Sequence, residues 1–298
     1  MTKRVLISGG AGFVGSHLIG ACISEGWRVG VLYLPEAGLD QIEHILPQVD
    51  AYPVDASTES VFAAVEKFKP DVVIHLASIF LAKHTSADIQ RLIQSNVTYG
   101  TQILDAMANY GVRYLVNTGT SWQHYESEAY NPVNLYAATK QAFEDIVDFY
   151  VQSGKMEAVT MKLFDTYGAG DPRPKLINLL EKTLHEGGRL EMSPGEQLID
   201  IVHVDDVARA YVLAVKRLLA EQVDGHEKYA VSSGKPIRLR DLAGMFEKIS
   251  GKPLNIVWGG REYREREVMV PWNNGPSLPG WSPEITLEDG IRSILQRS

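Results

Sequence analysis

The sequence predicts an α/β fold: a doubly wound parallel sheet covered by helices on both faces, with a smaller C-terminal lobe packed against it. Three observations carry this. Short runs of consecutive apolar residues recur through the first 165 positions, with helical stretches between them. Runs that are apolar throughout, rather than at alternate positions, mark strands buried on both faces. A glycine-rich turn joins the first run to the first helical stretch, and the regular alternation stops after Phe164.

The strands are expected at residues 5–8, 29–34, 51–54, 72–77, 114–118 and 159–164, and the helices at 15–26, 56–68, 87–109 and 136–153. Strand–helix–strand units make right-handed crossovers, which lay the strands parallel. Residues 165–174 carry Gly168, Gly170, Pro172 and Pro174 and read as a loop. A helix over 177–186, a strand over 201–204 and a helix over 205–219 follow. Trp258, Gly259, Gly260, Pro271, Pro276, Pro279 and Pro283 make the end of the chain irregular. The expected organisation is a domain of residues 1–165, rejoined by 201–232, and a lobe of residues 166–200 and 233–298. No Gly/Ser linker separates them, so the active site is expected where the lobe meets the C-terminal edge of the sheet.

The chain has 298 residues, 45% of them hydrophobic, and a net charge of −8. At this length that content suffices to bury a large core. The acidic balance and the lack of a basic tail argue against a nucleic-acid partner. Cys22 is the only cysteine, so an internal disulfide is impossible and no metal centre is expected. Residues 1–4 lead into a three-residue apolar run, too short for a signal peptide, and no run of 18 apolar residues occurs. No membrane contact is therefore expected, and the expected setting is the cytoplasm.

The turn after the first strand reads Ser8-Gly9-Gly10-Ala11-Gly12-Phe13-Val14-Gly15. Gly10, Gly12 and Gly15 satisfy G-x-G-x-x-G, and Gly9, Gly12 and Gly15 the related G-x-x-G-x-x-G. Glycines let the backbone turn sharply and touch a pyrophosphate, and the helix start supplies free N–H groups. Strand, turn and helix in that order point to a dinucleotide. The second strand ends on Tyr33, where an NAD site usually has a carboxylate for the ribose; the nearest acid is Glu36. Lacking that charge, the site leans toward NADP. Asp55, at the end of the third strand, is either an adenine contact or a helix N-cap.

Tyr136 and Lys140 stand four residues apart on an expected helix, so one side chain lies above the other. None of the other twelve tyrosines has a lysine at that spacing. A nearby ammonium favours the phenolate and is expected to lower the Tyr136 pKa, making it a proton donor or acceptor. Alternatively, Lys140 is simply solvated on an amphipathic helix. The fifth strand ends in Thr118-Gly119-Thr120-Ser121, which brings a hydroxyl to the dinucleotide side of the sheet.

Glycine loop, hydroxyl strand end and Tyr-x-x-x-Lys together resemble the extended short-chain dehydrogenase/reductase family. That family has a Rossmann-type sheet and includes nucleotide-sugar epimerases, dehydratases and ketoreductases. His75-Leu76-Ala77-Ser78, Asn96-Val97 and His203-Val204-Asp205-Asp206-Val207 stand where the family has related segments. The resemblance implies Thr120, Tyr136 and Lys140 as the catalytic set, with Ser121 a close rival to Thr120. It implies cofactor contacts from Gly9, Gly12, Phe13, Val14, Tyr33, Asp55, Ala56, Leu76, Ala77, Ser78, Asn96 and Thr118 as well as Tyr136 and Lys140. His75 and His203 read as packed structural residues. The implied fold-mates dimerise through two helices, here near 87–109 and 136–153, so a homodimer is expected.

Longer strings narrow the resemblance. They are Gly119-Thr120-Ser121-Trp122-Gln123-His124-Tyr125, Phe164-Asp165-Thr166-Tyr167-Gly168, and residues 131–144, 171–175, 192–200 and 258–268. These are similar to reductases of CDP-linked 4-keto sugars. The implied activity is NADPH-dependent reduction of the C4 ketone of a 4-keto-6-deoxy or 3,6-dideoxy hexose. Ser121, His124, Asp165, Thr166, Lys175, Arg261 and Arg264 are the implied substrate contacts. Two positions depart from the family: Ile199 precedes Asp200 where an arginine is usual, and Asp165 replaces an asparagine that contacts the diphosphate. Arg261, Arg264 and Arg266 are expected to compensate, because arginine binds phosphate bidentately. An NAD-retaining 4-epimerase is the alternative, and a non-catalytic NADP-binding regulator a second. A dehydratase fits less well, since Thr120 is followed by Ser121-Trp122 rather than Asp-Glu.

Overall fold

The computed structural model of the protein describes residues 2–297. β1 (Arg4–Ser8) turns through residues 9–12 into α1 (Phe13–Ser24), and β2 (Arg28–Tyr33) and β3 (Val49–Pro53) follow. Next come α2 (Thr58–Phe68), β4 (Val72–His75), α3 (Ile89–Ile93), α4 (Tyr99–Asn109), β5 (Tyr114–Thr120), α5 (Leu135–Gln152) and β6 (Glu157–Leu163). Beyond Phe164 lie β7 (Asp165–Tyr167), α6 (Leu176–Glu186), β8 (Leu190–Met192), β9 (Leu198–Ile199), β10 (Ile201–His203) and α7 (Val204–Leu219). β11 (His226–Val231), β12 (Ile237–Arg238), α8 (Leu239–Ser250), β13 (Ile256–Trp258) and α9 (Leu287–Arg297) complete the chain.

Seven strands form one parallel sheet in the order β3-β2-β1-β4-β5-β6-β11. Successive residues of a strand point to opposite faces. Val5 and Ile7 accordingly join a core with α1 and α7, whereas Leu6 joins a second core with α2, α4 and α5. Both faces being apolar explains why the strands read as continuous runs. The chain winds outward through β1, β2 and β3, then crosses back to place β4 beside β1. That reversal opens a crevice at the C-terminal ends of β1 and β4. A third core packs α6, α8 and α9 with Tyr167, Met192 and Ile201, beneath the residues that close over this edge.

Three details differ from the sequence expectation. The strand expected at 201–204 does not enter the main sheet; β10 pairs with β7 alone. The seventh sheet strand is β11, which reads as polar because His226 and Lys228 reach acidic partners on α5 rather than apolar ones. The single helix expected over 87–109 is interrupted at Gln94–Thr98 by a wider π-helical turn. Such turns accompany functional sites, and this one sets Asn96 into the interior. At the sheet edges, Ala230 N of β11 donates to Pro276 O at 2.8 Å, and β3 ends on Pro53, which has no N–H.

α4 and α5 approach closely at Gly100, where an added Cβ would stand 2.4 Å from the Phe143 ring. Phe143 in turn packs on His75, with ring centroids 5.0 Å apart. Gly100→Ala is expected to cost about 1–3 kcal/mol in urea unfolding through overpacking. Gly20→Ala, which meets nothing within 4 Å on helix α1, is expected to raise stability by about 0.5–1 kcal/mol. Equal effects at the two positions would contradict this packing.

Candidate active site

The glycine loop sits against the end of β4. Gly9 has φ +73°, and a Cβ there would lie 2.6 Å from Ala77 N; a Cβ on Gly15 would lie 2.4 Å from Gly9 O. Only glycine satisfies either place. α1 then starts at Phe13 with Gly12 as a cap that offers no side chain, leaving its first N–H groups for an anion. Phe13 is buried and Val14 half-buried beside it. Leu76 N donates to Ser8 O at 3.0 Å, tying the ends of β1 and β4 together.

Around the crevice, Tyr33 ends β2 and Glu36 is exposed in the next turn. Asp55 is not the cap of α2. Ser57 is, its Oγ accepting from Ser60 N at 3.2 Å, while Asp55 Oδ1 accepts from Ser57 N at 3.0 Å. Hydrogen bonds from Ser57 and Ser60 hold the Asp55 carboxyl down at about 2. Ala56 adopts a left-handed conformation, φ 61°, which costs a residue with a Cβ about 1–2 kcal/mol and concentrates at ligand sites.

Tyr136 and Lys140 both lie in the interior. Asn134 starts α5 by accepting from Ala137 N at 3.0 Å, and its amide donates to Leu81 O and Ala82 O. The expected effect of Lys140 on the phenol is corrected here. Burial pushes Tyr136 up to about 12; a hydrogen bond with the Ser78 hydroxyl and the Arg173 guanidinium pull the other way, and Asp165 adds to the rise. Desolvation of the phenolate outweighs the cations. Lys140 itself is pushed down to about 8 by burial. It is 1% exposed, and among the described residues its ammonium has no hydrogen-bond partner. Lys140 is therefore not a solvated surface lysine.

An orphaned buried ammonium beside a glycine cradle fits a ligand with both diphosphate and hydroxyl groups, as a dinucleotide has. His75 cannot supply a proton at neutral pH. Burial, reinforced by Lys140, pushes it down to about 3, and its Nδ1 is 2.7 Å from Ser8 Oγ.

Other expected contacts are engaged within the protein. Asn96 accepts from Ile79 N at 2.7 Å and donates to Ile79 O and Thr139 Oγ1, both at 3.0 Å. Its amide clamps the segment after β4. The Thr118 hydroxyl donates to His75 O and pairs with Tyr211 OH, each at 2.7 Å. Thr120 Oγ1 accepts from Trp122 N at 3.3 Å.

A cavity of about 540 Å³ opens beyond these groups, lined by Ser121 and His124 but not by Thr120. Phe80 forms part of its wall and packs edge-on against Tyr136, centroids 5.0 Å apart. Thr166, Asp165, Lys175, Arg261, Arg264 and Arg266 also reach it. Asp165 pairs with Lys175 at 3.3 Å, which offsets the negative charge that replaces the family's asparagine. Arg264 lies over the Trp122 ring at 5.9 Å, and Arg266 over Tyr125 at 4.3 Å. The sequence reading missed Phe80 and Trp272 on the wall. Asp171 holds the Arg173 guanidinium through two 2.7 Å bonds, and Arg173 lies over Phe13 at the start of α1 at 4.9 Å.

A Rossmann-type sheet with a cradle for a dinucleotide and a tyrosine–lysine pair between cradle and cavity defines an enzyme that works with a bound dinucleotide. Residues 5–229 match the NAD dependent epimerase/dehydratase family, and the chain belongs to it. It is 26% identical to the CDP-abequose synthase of Salmonella typhimurium, over 100% of this chain and 99% of that one. It is 25% identical to the UDP-glucuronate 4-epimerase of Thermodesulfobacterium geofontis, over 98% of this chain and 95% of that one. The crystal structure of Thermus thermophilus UDP-glucose 4-epimerase in complex with NAD superposes with a TM-score of 0.83 at 25% identity, covering 98% of each chain. Membership in this enzyme family sets aside the non-catalytic reading. Among the described residues, no helix is long and apolar enough to cross a membrane.

Lys140 gives the site a signature in the ligand-free state. Its ordinary value is 10.5 and its folded value about 8. Below about 8 the folded and unfolded chains both hold the proton; between the two values only the unfolded chain does. Stability is therefore expected to increase with pH across that window. The increase is expected to be missing from Lys140→Met, as read by urea midpoints at each pH; parallel profiles for the two proteins would contradict it.

Proposed function

We propose that the protein is an NADPH-dependent 4-ketoreductase acting on a nucleotide-linked, CDP-bearing 4-keto-6-deoxy or 3,6-dideoxy hexose. The observation that carries this reading is the placement of Tyr136 and Lys140 between the glycine cradle and an arginine-rimmed cavity. Full-length similarity to CDP-abequose synthase supports the substrate class. Tyr33 at the end of β2, in place of a carboxylate, supports NADP over NAD.

Gly9, Gly12 and the start of α1 would hold the diphosphate of the dinucleotide, and Lys140 would donate to its ribose hydroxyls. Bound there, the dinucleotide would supply a hydride. Tyr136 gives its phenolic proton to the carbonyl oxygen as that oxygen gains charge. Thr120, at the end of β5, donates the hydrogen bond that stabilises the oxyanion, with Ser121 on the cavity wall its close rival. Arg261, Arg264 and Arg266 take the sugar diphosphate. Thr166, with Asp165 and Lys175, faces the sugar.

The 4-epimerases among the relatives make epimerisation the second reading. An epimerase would use the same Tyr136 and Lys140 but retain its dinucleotide through a full oxidation–reduction cycle, so net cofactor consumption separates the two readings. The homodimer is part of the same reading, supported by Phe149, 61% exposed on α5, and by exposed Ile89 and Ile93 on α3.

The deciding assay follows NADPH and NADH oxidation on CDP-, dTDP-, UDP- and GDP-linked 4-keto-6-deoxy sugars. Stoichiometric NADPH consumption with the CDP sugar is the expected result. Tightly held NAD with no net consumption would instead establish the epimerase. Tyr136→Phe is expected to abolish reduction while leaving dinucleotide affinity nearly intact; full activity would remove Tyr136 from the mechanism. Thr120→Ala is expected to lower kcat by roughly 10²–10³-fold, the usual loss for one oxyanion donor, and Ser121→Ala by less. The reverse order would move the role to Ser121.

A further inference from the structure

Lys162 is a buried cation that the mechanism above does not use. It is the penultimate residue of β6, with its side chain 5% exposed, beyond the apolar Val159 and Met161 of the same strand. Its ammonium lies 3.3 Å from Glu144 Oε1 and 2.7 Å from His124 Nε2. Glu144 has other partners, Gln123 Nε2 at 3.0 Å and Lys228 Nζ at 3.1 Å. A well-packed aliphatic residue usually stabilises such a place at least as well as an ion pair does. Stability alone therefore gives no reason for a lysine here.

His124 supplies one. Its Nδ1 is 2.9 Å from Glu128 O, and a carbonyl only accepts, so Nδ1 carries the hydrogen. Nε2 is then the acceptor for the Lys162 ammonium. Four neighbours act on the ring: Lys162 from β6, Glu144 from α5, and the backbones of Glu128 and Ala129 in its own loop. Burial and then Lys162 push His124 below its ordinary value; burial also lowers Lys162, and Glu144 beside it opposes that shift. With both nitrogens committed, the imidazole cannot turn. It stacks on Trp272 with centroids 4.0 Å apart and planes 16° apart, and both rings line the cavity.

We propose that Lys162 is a positioning residue for substrate recognition: it fixes His124 as the neutral Nδ1–H tautomer against Trp272, forming a rigid, uncharged two-ring wall for the C–H face of the sugar. His124 then binds without exchanging protons with the substrate. The assignment of the wall to a sugar rests on the function proposed above; the tautomer lock does not.

The test is ¹⁵N NMR of His124 in the ligand-free protein, paired with kinetics on a CDP-linked 4-keto-6-deoxy hexose. In the wild type the Nδ1–H tautomer is expected to persist unchanged from pH 8 to pH 5.5. An Nε2–H tautomer or an imidazolium at neutral pH would overturn the lock. Lys162→Met leaves Glu144 with Lys228 and Gln123, so no carboxylate is stranded. In that variant His124 is expected to gain its proton at a higher pH than in the wild type, with burial alone still lowering it, and KM to rise as it titrates between pH 8 and pH 5.5 with kcat within about twofold. An unchanged titration and KM would also overturn the proposal. His124→Gln keeps an acceptor for Lys162 but loses the ring, so its KM is expected to be raised equally at every pH. Should Lys162→Met fail to fold, the wild-type tautomer still decides the lock. A confirmed lock with no turnover or binding of the CDP sugar would overturn the sugar wall and the proposed function while leaving the lock standing.

Discussion

The structure depends on how helix α5 buries ionisable groups against the sheet. Tyr136, Lys140, Glu144 and Asp148 follow one another at four-residue spacing, so they form a single stripe. The lower half of the stripe is paired: Glu144 meets Lys162 and Lys228, and Asp148 meets Lys228 and His226. The upper half carries no ion pair: Tyr136 meets the Ser78 hydroxyl, and the Lys140 ammonium has no hydrogen-bond partner among the described residues. Paired charges fix the axial position and rotation of the helix. The unpaired ones, held at that position, form the reactive end. One helix thus carries both the anchor and the chemistry, and a shift of its register would disturb both.

That division also explains the electrostatics. A phenol and an ammonium near each other in water would favour phenolate and ammonium together. In the interior each loses its solvation, and both move toward their neutral forms. Loss of water outweighs attraction here because the paired half of the stripe has already taken the available countercharges. The site is left with one proton held on the phenol and one donor in want of hydroxyl oxygens.

Much of this is legible in the sequence. The parallel strands announce themselves because Val5, Leu6 and Ile7 must satisfy two apolar faces at once, and the glycine loop because few other uses demand that spacing. β11 is not legible: His226 and Lys228 pair with carboxylates more than seventy positions earlier, and polar letters hide such pairing. The same blindness hides Lys162, although a lone lysine inside the run Val159–Thr160–Met161–Leu163 is a visible irregularity. The direction of the Tyr136 shift is misjudged because spacing shows which charges are neighbours but not how much water each has lost. Thr120 and Ser121 are inseparable by position; only the turn after β5 shows that one hydroxyl caps a backbone amide while the other meets the cavity.

The ends of the sheet carry a consequence for how copies of this chain can meet. One edge strand is covered by the chain's own residues near Pro276, and the other ends on a proline with no N–H to offer. Strand addition from a neighbour, the common route to fibrous association, is therefore obstructed at both margins. Contact between folded copies falls to the helical faces, where shape and side-chain chemistry rather than main-chain templating select the partner. A sheet so sealed can be crowded without being extended.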